Sequence, residues 1–121
     1  MPGKLNRLEE FRNKREKQNE LVLQHDHLGI KRFFNLDHNT YKKGALPAET
    51  KELLGLVASA VLRCNDCIDY HLEQCAEAGF KRDELMDAIN VALVVGGSIV
   101  IPHLRHAAET IEILDEEGKI A

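Results

Sequence analysis

Residues 63–71 read Arg-Cys-Asn-Asp-Cys-Ile-Asp-Tyr-His, and the rest of the chain is organised around them. The run from Ile68 to Ala78 contains neither Pro nor Gly, and Gly79 then supplies a helix-ending signal. Read as a helix, this segment places its three cysteines and one histidine on a single face, at positions 64, 67, 71 and 75. The sequence therefore predicts a Cys-x-x-Cys pair at a helix entrance, with a histidine one turn after the second cysteine.

The composition argues against several classes of function. With 121 residues the chain is expected to form one domain around a single core. Its formal net charge of −4 provides no basic footprint for nucleic acid. The longest apolar run, residues 88–101, is shorter than the roughly 20 residues of a membrane-spanning helix, and the N-terminus has no apolar run of signal-peptide type. We therefore expect no nucleic-acid partner, no membrane span and a cytoplasmic location.

The cysteine count points to chemistry rather than to a structural framework. Three cysteines, two of them closely spaced, do not resemble the even-numbered disulfide framework of a small secreted protein. In a reducing compartment, a Cys-x-x-Cys pair is more often catalytic or metal-binding.

Helical patterns account for the whole chain, and we find no strand alternation, internal repeat or low-complexity segment. The expected helices cover residues 3–27 (mostly solvated), 28–43 (one or two short helices), 47–63, the cysteine segment, 85–101 and about 103–117. The predicted fold is all-α with about six helices. It is expected to be a single domain over residues 1–121, with an N-terminal helical arm at 1–45 and a core at 46–117.

The segment from Leu85 to about Ile101 is apolar on nearly every side. A helix of this kind must be buried all round, and a chain of this size can hardly surround it alone. We therefore predict a homo-oligomer with this helix at the interface. Gly96 and Gly97 would allow another backbone to approach closely, and Pro102 is expected to kink or end the helix.

The segment from Arg63 to His71 contains two features that can activate a thiol. A cysteine attacks only as its thiolate, so it needs a group that stabilises the charge or removes the proton. A helix that starts near Cys64 would direct its unpaired N–H groups at a thiolate there. His71 lies four residues after Cys67, so its imidazole can act as a base on that sulfur. Closure into a reversible disulfide favours Cys64 at the cap or first turn, where the backbone can adjust.

Each of these signals also has a structural interpretation. The two cysteines could be buried thiols that lie close by chance, and His71 a core histidine bonded to backbone. A zinc site would need a fourth ligand besides Cys64, Cys67 and His71. Candidates for that ligand, available only through tertiary contact, are His25, His27 and His103.

Other polar residues receive no role in the reaction. His103 and His106 are expected at the surface or an interface, and Asp69 points away from the cysteine face. Cys75 is predicted to be a small buried hydrophobe, packed against Phe80 in the turn that ends the helix.

Four residues carry a resemblance to a known family. Glu52, Cys64, Cys67 and His71 match the spacing Glu-x11-Cys-x2-Cys-x3-His of the alkylhydroperoxidase D-like branch of the carboxymuconolactone decarboxylase family. The resemblance covers about residues 46–108. It implies an all-α protomer, assembly into a homo-oligomer, often a trimer or hexamer, and a thiol peroxidase activity. We expect no cofactor and no bound metal.

The resemblance also implies a role for each of these residues. Cys67 attacks the peroxide, Cys64 condenses with it to a disulfide, and His71 and Glu52 relay protons. An external dithiol or disulfide reductase would then reopen the disulfide. The residues themselves also favour Cys67 as the attacking thiol. A positioned base such as His71 contributes about 10²–10⁴-fold in rate, or roughly 3–5 kcal/mol. An exposed helix dipole at Cys64 contributes only about 0.3–1 kcal/mol.

One departure and two alternatives accompany this prediction. Asp66 stands where some members of the family carry a histidine, and an acidic residue there opposes thiolate formation. The founding decarboxylases lack the Cys-x-x-Cys pair, so decarboxylation of a small lactone acid is the enzymatic alternative. The other is a non-catalytic oligomeric protein whose Cys/His cluster is structural or binds zinc.

Overall fold

A computed structural model describes residues 3–121, and this part of the chain contains six α-helices, one short 3-10 turn and no strand. The helices are α1 (Arg7–Gln24), α2 (Leu28–Thr40), α3 (Ala48–Val61), α4 (Asn65–Glu77), α5 (Arg82–Gly96) and α6 (Ile101–Glu116), with the 3-10 turn at Ser98–Val100. The all-α prediction with about six helices is confirmed. Within residues 3–121, no helix is both long and apolar enough to cross a membrane.

The chain divides into two compact units between Ala45 and Leu46. The first unit contains α1 and α2. Helix α1 begins with a capping box, in which Asn6 accepts from the Glu9 N–H at 2.8 Å and Glu9 accepts from the Asn6 N–H at 3.1 Å. Every residue of α2 is exposed, including its aromatic and aliphatic side chains.

The second unit contains α3 to α6 and has its own hydrophobic core. Helix α3 packs against α4 and α5, and α4 also packs against α6. The largest apolar side chains at its centre are fully buried: Leu56, Ile68, Leu72, Leu85, Ile89, Ile111 and Leu114. Helix α4 therefore lies between α3 and α6, so residues on two of its faces meet a neighbouring helix.

Helix α4 ends in the Schellman turn that the sequence predicts. Gly79 has a φ of 97°, its N–H bonds to the Ala76 carbonyl at 3.0 Å, and the Phe80 N–H bonds to the Cys75 carbonyl at 3.1 Å. Glycine suits this position because a left-handed backbone is strained for any residue with a Cβ.

The apolar segment departs from its prediction at its C-terminal end. Helix α5 ends at Gly96 rather than at about Ile101, because Gly97 takes a φ of 82° and breaks the helix. A Cβ on Gly96 would lie 2.5 Å from Cγ2 of Val100. Glycine is therefore needed at this position so that the turn can bring Val100 close to the end of α5. Pro102 does not end this helix; it lies in the first turn of α6, where its missing N–H costs nothing.

Candidate active site

The junction between α3 and α4 sets the position of the first cysteine. Arg63 adopts a left-handed φ of 62°, a conformation more usual for glycine. The N–H groups of Arg63 and Cys64 bond to the carbonyls of Ala60 and Ser59, both at 3.1 Å, which closes a second Schellman turn. This turn connects the two helices without a longer loop, so Cys64 directly caps α4.

Cys64 and Cys67 are joined by a disulfide across the first turn of α4, with their Cα atoms 5.3 Å apart. Cys64 is the N-cap, with an extended backbone, and its Sγ accepts from the Cys67 N–H at 3.2 Å. The predicted helix entrance at Cys64 is confirmed. Cys67 is exposed and Cys64 only partly so, which makes Cys67 the more exposed residue of the pair.

A histidine–carboxylate pair lies on the α3 side of α4. Nδ1 of His71 is 2.9 Å from Oε2 of Glu52, and the two side chains are only 10% and 14% exposed. The carboxylate of Glu52 accepts a hydrogen bond from the N–H at Nδ1 of His71. In the neutral imidazole the lone pair therefore lies on Nε2. The structure thus brings together two residues that are 19 positions apart in the sequence.

Gly55 allows α3 to approach the imidazole of His71 closely. A Cβ on Gly55 would lie 2.6 Å from Cε1 of that ring and 2.9 Å from either of its nitrogens. Because Glu52 is three residues earlier on the same helix face, α3 both contacts the ring at Gly55 and pairs with its Nδ1. Sequence reasoning assigned Gly55 no role.

Cys75 is fully buried one helical turn beyond His71. Burial raises the pKa of its thiol to about 12, and the negative charge of Glu52 acts in the same direction. The thiol therefore stays protonated at physiological pH, which suits the buried, unreactive role predicted for it.

A second polar cluster joins α4 to α6, and the sequence analysis missed it. His103 contacts Asn65 at 2.8 Å, while His106 lies 3.0 Å from both carboxylate oxygens of the buried Asp69, which also accepts from Thr110. Both histidines are partly exposed, and each also contacts a residue of α4; the contacts of Asp69 are structural and give it no role in the reaction. A signal was present: the polar residues are four apart on α4 and three and four apart on α6, so each set shares a face of its helix.

The described side chains do not form an evident metal site. In residues 3–121, no group of three or more His, Cys, Asp and Glu side chains is arranged to hold a metal ion. The sulfurs of Cys64 and Cys67 are bonded to each other.

Comparisons with known proteins identify the family and the fold. The model of the carboxymuconolactone decarboxylase family matches residues 30–110. Two crystal structures of the Thermotoga maritima protein TM1620 superimpose with TM-scores of 0.88 and 0.86, at 54% and 53% identity, covering 91% of this chain and 96% and 93% of theirs. The second is described as a carboxymuconolactone decarboxylase family protein for which a role in the antioxidative response has been suggested.

More distant relatives include one solved structure with the same fold and one protein matched by sequence. The apo form of a carboxymuconolactone decarboxylase family protein from Legionella pneumophila has a TM-score of 0.81 at 22% identity, over 89% of this chain and 96% of that one. An uncharacterised protein encoded in the cox locus of Paracoccus denitrificans is 26% identical over 83 residues, which is 69% of this chain and 75% of that protein.

Proposed function

Since the chain belongs to the carboxymuconolactone decarboxylase family, we propose that it is a thiol-dependent peroxidase of the alkylhydroperoxidase D-like type. One observation carries the proposal: a closed Cys64–Cys67 pair at a helix entrance, on the helix whose next turn presents a buried His71–Glu52 pair. The suggested antioxidative role of the Thermotoga relative supports the same reaction class.

In the first step, the reduced Cys67 attacks the terminal oxygen of a peroxide. An S–O bond forms, the O–O bond breaks, and Cys67 becomes a sulfenic acid while an alcohol or water leaves. His71, held by Glu52, accepts the thiol proton and passes it to the departing oxygen, directly or through water. The thiol proton thus ends on the leaving group.

In the second step, Cys64 attacks the sulfenic sulfur and releases water, which closes the disulfide. Its place as N-cap suits this role, because the N–H of Cys67 and the helix dipole stabilise a thiolate at Cys64. An external dithiol or disulfide reductase then supplies two electrons and two protons and restores both thiols.

Two features favour Cys67 over Cys64 as the attacking thiol. Cys67 is the more exposed of the two, so a peroxide can reach it. It is also one helical turn before His71, while Cys64 is nearly two turns away. The cap stabilises Cys64 mainly as a resolving thiolate and as the leaving group when the disulfide is reduced.

The proposal includes assembly into a homo-oligomer, a trimer or hexamer in keeping with the resemblance. On α5, Leu85, Ile89 and Ala92 are buried, but Val91, Val94 and Val95 are 53%, 77% and 69% exposed. Exposed valines in such a row form an apolar surface that a second copy would cover. The cytoplasmic location stays a prediction.

Peroxide consumption with a supplied dithiol tests the proposed activity. The wild type and Cys75→Ala should consume peroxide, and Cys67→Ser should not. In Cys64→Ser, dimedone should label a sulfenic acid on Cys67. Equal consumption by wild type and Cys67→Ser would refute the thiol mechanism. A sulfenic acid on Cys64 in Cys67→Ser, formed at the wild-type rate, would reverse the two roles.

The same protein allows the alternatives to be tested. If the cluster binds zinc, a chelator will increase the number of thiols that titrate in the reduced protein; the peroxidase proposal predicts no increase. If the chain decarboxylates a lactone acid, His71→Ala will abolish that activity and Cys67→Ser will not.

A further inference from the structure

The turn between the two cysteines is held from α6. Nδ1 of His103 lies 2.8 Å from Oδ1 of Asn65, the residue that directly follows Cys64. An amide oxygen can only accept, so the imidazole donates its Nδ1 proton. From this contact we propose that His103 is a positioning residue for the Cys64–Cys67 couple and acts through Asn65. The inference rests on the dithiol–disulfide cycle of the proposed function, but not on a peroxide being the substrate.

The location of Asn65 connects this hydrogen bond to the redox state. Asn65 is the first residue of α4 and one of two residues between the cysteines. When the disulfide is closed, the turn is already ordered before His103 contacts the amide. When the thiols are free, the same bond must also order the turn, at a cost in conformational entropy. The bond is therefore stronger in the disulfide form, and by thermodynamic reciprocity it stabilises that form by the same factor.

The neighbouring cluster of Asp69, His106 and Thr110 acts differently. Asp69 lies one turn further into α4, where the helix is regularly hydrogen-bonded, and it is 2% exposed. Its contacts with His106 and Thr110 should persist in both redox forms. This cluster anchors α4 on α6, so its loss lowers the stability of the fold without shifting the thiol–disulfide equilibrium.

In the dithiol form the entropy cost of ordering the turn, a factor of roughly 5–30 per residue in an equilibrium constant, offsets the bond, so the redox shift approaches the full net contribution of one hydrogen bond. A typical net contribution corresponds to a factor of roughly 2–12 in an equilibrium constant. Removing the His103 donor should therefore shift the equilibrium about 3–10-fold toward the dithiol, which is roughly 15–30 mV for a two-electron couple.

The 121-residue chain, equilibrated with mixtures of reduced and oxidised dithiothreitol, provides the measurement. In this exchange dithiothreitol closes its own disulfide, and Cys64 and Cys67 take up two electrons and two protons. The fraction of opened disulfide is measured by acid quench, alkylation and mass spectrometry. The variants are His103→Phe, which keeps a ring but loses the donor, Asn65→Ala, the double variant, and His106→Asn as the control on the same helix.

The proposal requires His103→Phe and Asn65→Ala to shift the equilibrium constant equally, and the double variant to add no further shift. His106→Asn should lower the unfolding midpoint yet keep the constant within twofold. The proposal is overturned if His103→Phe leaves the constant unchanged, if the single effects add, or if His106→Asn shifts it equally. A disulfide that dithiothreitol cannot open would overturn the proposed cycle and this inference together, whereas an opened disulfide indifferent to His103 overturns the inference alone.

Discussion

Replacing Glu52 by glutamine changes the histidine pair by one charge and almost no volume. The carboxylate lies 2.9 Å from Nδ1 of His71, and both side chains are largely buried, so solvent screens the pair weakly. Two unit charges about 4 Å apart attract by about 4 kcal/mol at an effective dielectric constant of about 20. This is an upper limit on what the carboxylate contributes once the imidazole has taken up the thiol proton.

The expected loss in rate is smaller than that limit. The amide of the E52Q variant would retain an oxygen that accepts from Nδ1, so the tautomer of His71 can survive, and only the charged part of the interaction is lost. Hydrogen bonds to charged groups exceed neutral ones by about 1–2 kcal/mol. A loss of 1–2 kcal/mol corresponds to about 5–30-fold in rate, and proton transfer is only partial in the transition state, so we predict that E52Q slows sulfenic acid formation by about 3–30-fold.

The assay uses a Cys64→Ser background, in which the sulfenic acid on Cys67 cannot condense to the disulfide. Pre-reduced protein is mixed with peroxide, and the dimedone adduct is followed over time by mass spectrometry. E112Q is the matched control, because Glu112 pairs with Arg82 on the exposed side of α6. The reasoning is refuted if E52Q reacts at the wild-type rate while His71→Ala is slow, since His71 would then act without its carboxylate. If both react normally, no proton relay operates at this site.

Three further predictions follow from the same geometry. The pKa of Cys75 is raised from 9.0 to about 12, so its contribution to stability is complete below about pH 9 and lost as the pH rises toward 12. Between pH 8 and 10.5, the free energy of unfolding measured in urea should fall by about 2 kcal/mol more for the oxidised wild type than for Cys75→Ala. An equal fall in the two proteins would contradict the raised pKa of the buried thiol. Gly79→Ala should destabilise the protein by about 1–2 kcal/mol through backbone strain alone, since a Cβ there meets no atom within 4 Å. Gly79→Asn should destabilise it less. Equal urea midpoints for the wild type and the alanine variant would contradict this prediction. Val94→Asp should give a smaller species in light scattering than the wild type or Val94→Thr, because Val94 is 77% exposed on the proposed interface. A wild type that is already monomeric would refute the proposed oligomer.

The local features of the active site follow from short-range patterns in the sequence. Helical periodicity alone places Cys67 and His71 on one face of α4, with Cys64 at its entrance. Gly79 predicts the end of that helix, because the left-handed backbone of the turn is unfavourable for most other residues. These predictions need only interactions within about two turns, which the chain makes with itself.

Helix boundaries were less predictable where two signals compete. The apolar segment continues past Gly96, so hydrophobicity predicts a helix up to Ile101, yet the φ of 82° at Gly97 ends it earlier. Apolar periodicity does not register backbone conformation, and Gly96 also has to leave space for Val100.

The contacts between helices depended on tertiary structure. Glu52 was named through the family resemblance, since nothing in its local sequence distinguishes it from a solvated glutamate; packing of α3 on α4 is what brings it to 2.9 Å from His71. From the sequence, His103 and His106 are expected at the surface or an interface, and their partners Asn65 and Asp69 cannot be identified because they lie 38 and 37 positions away. Periodicity indicates which residues share a face, but the neighbour of that face is chosen by how all the helices together bury their apolar surface.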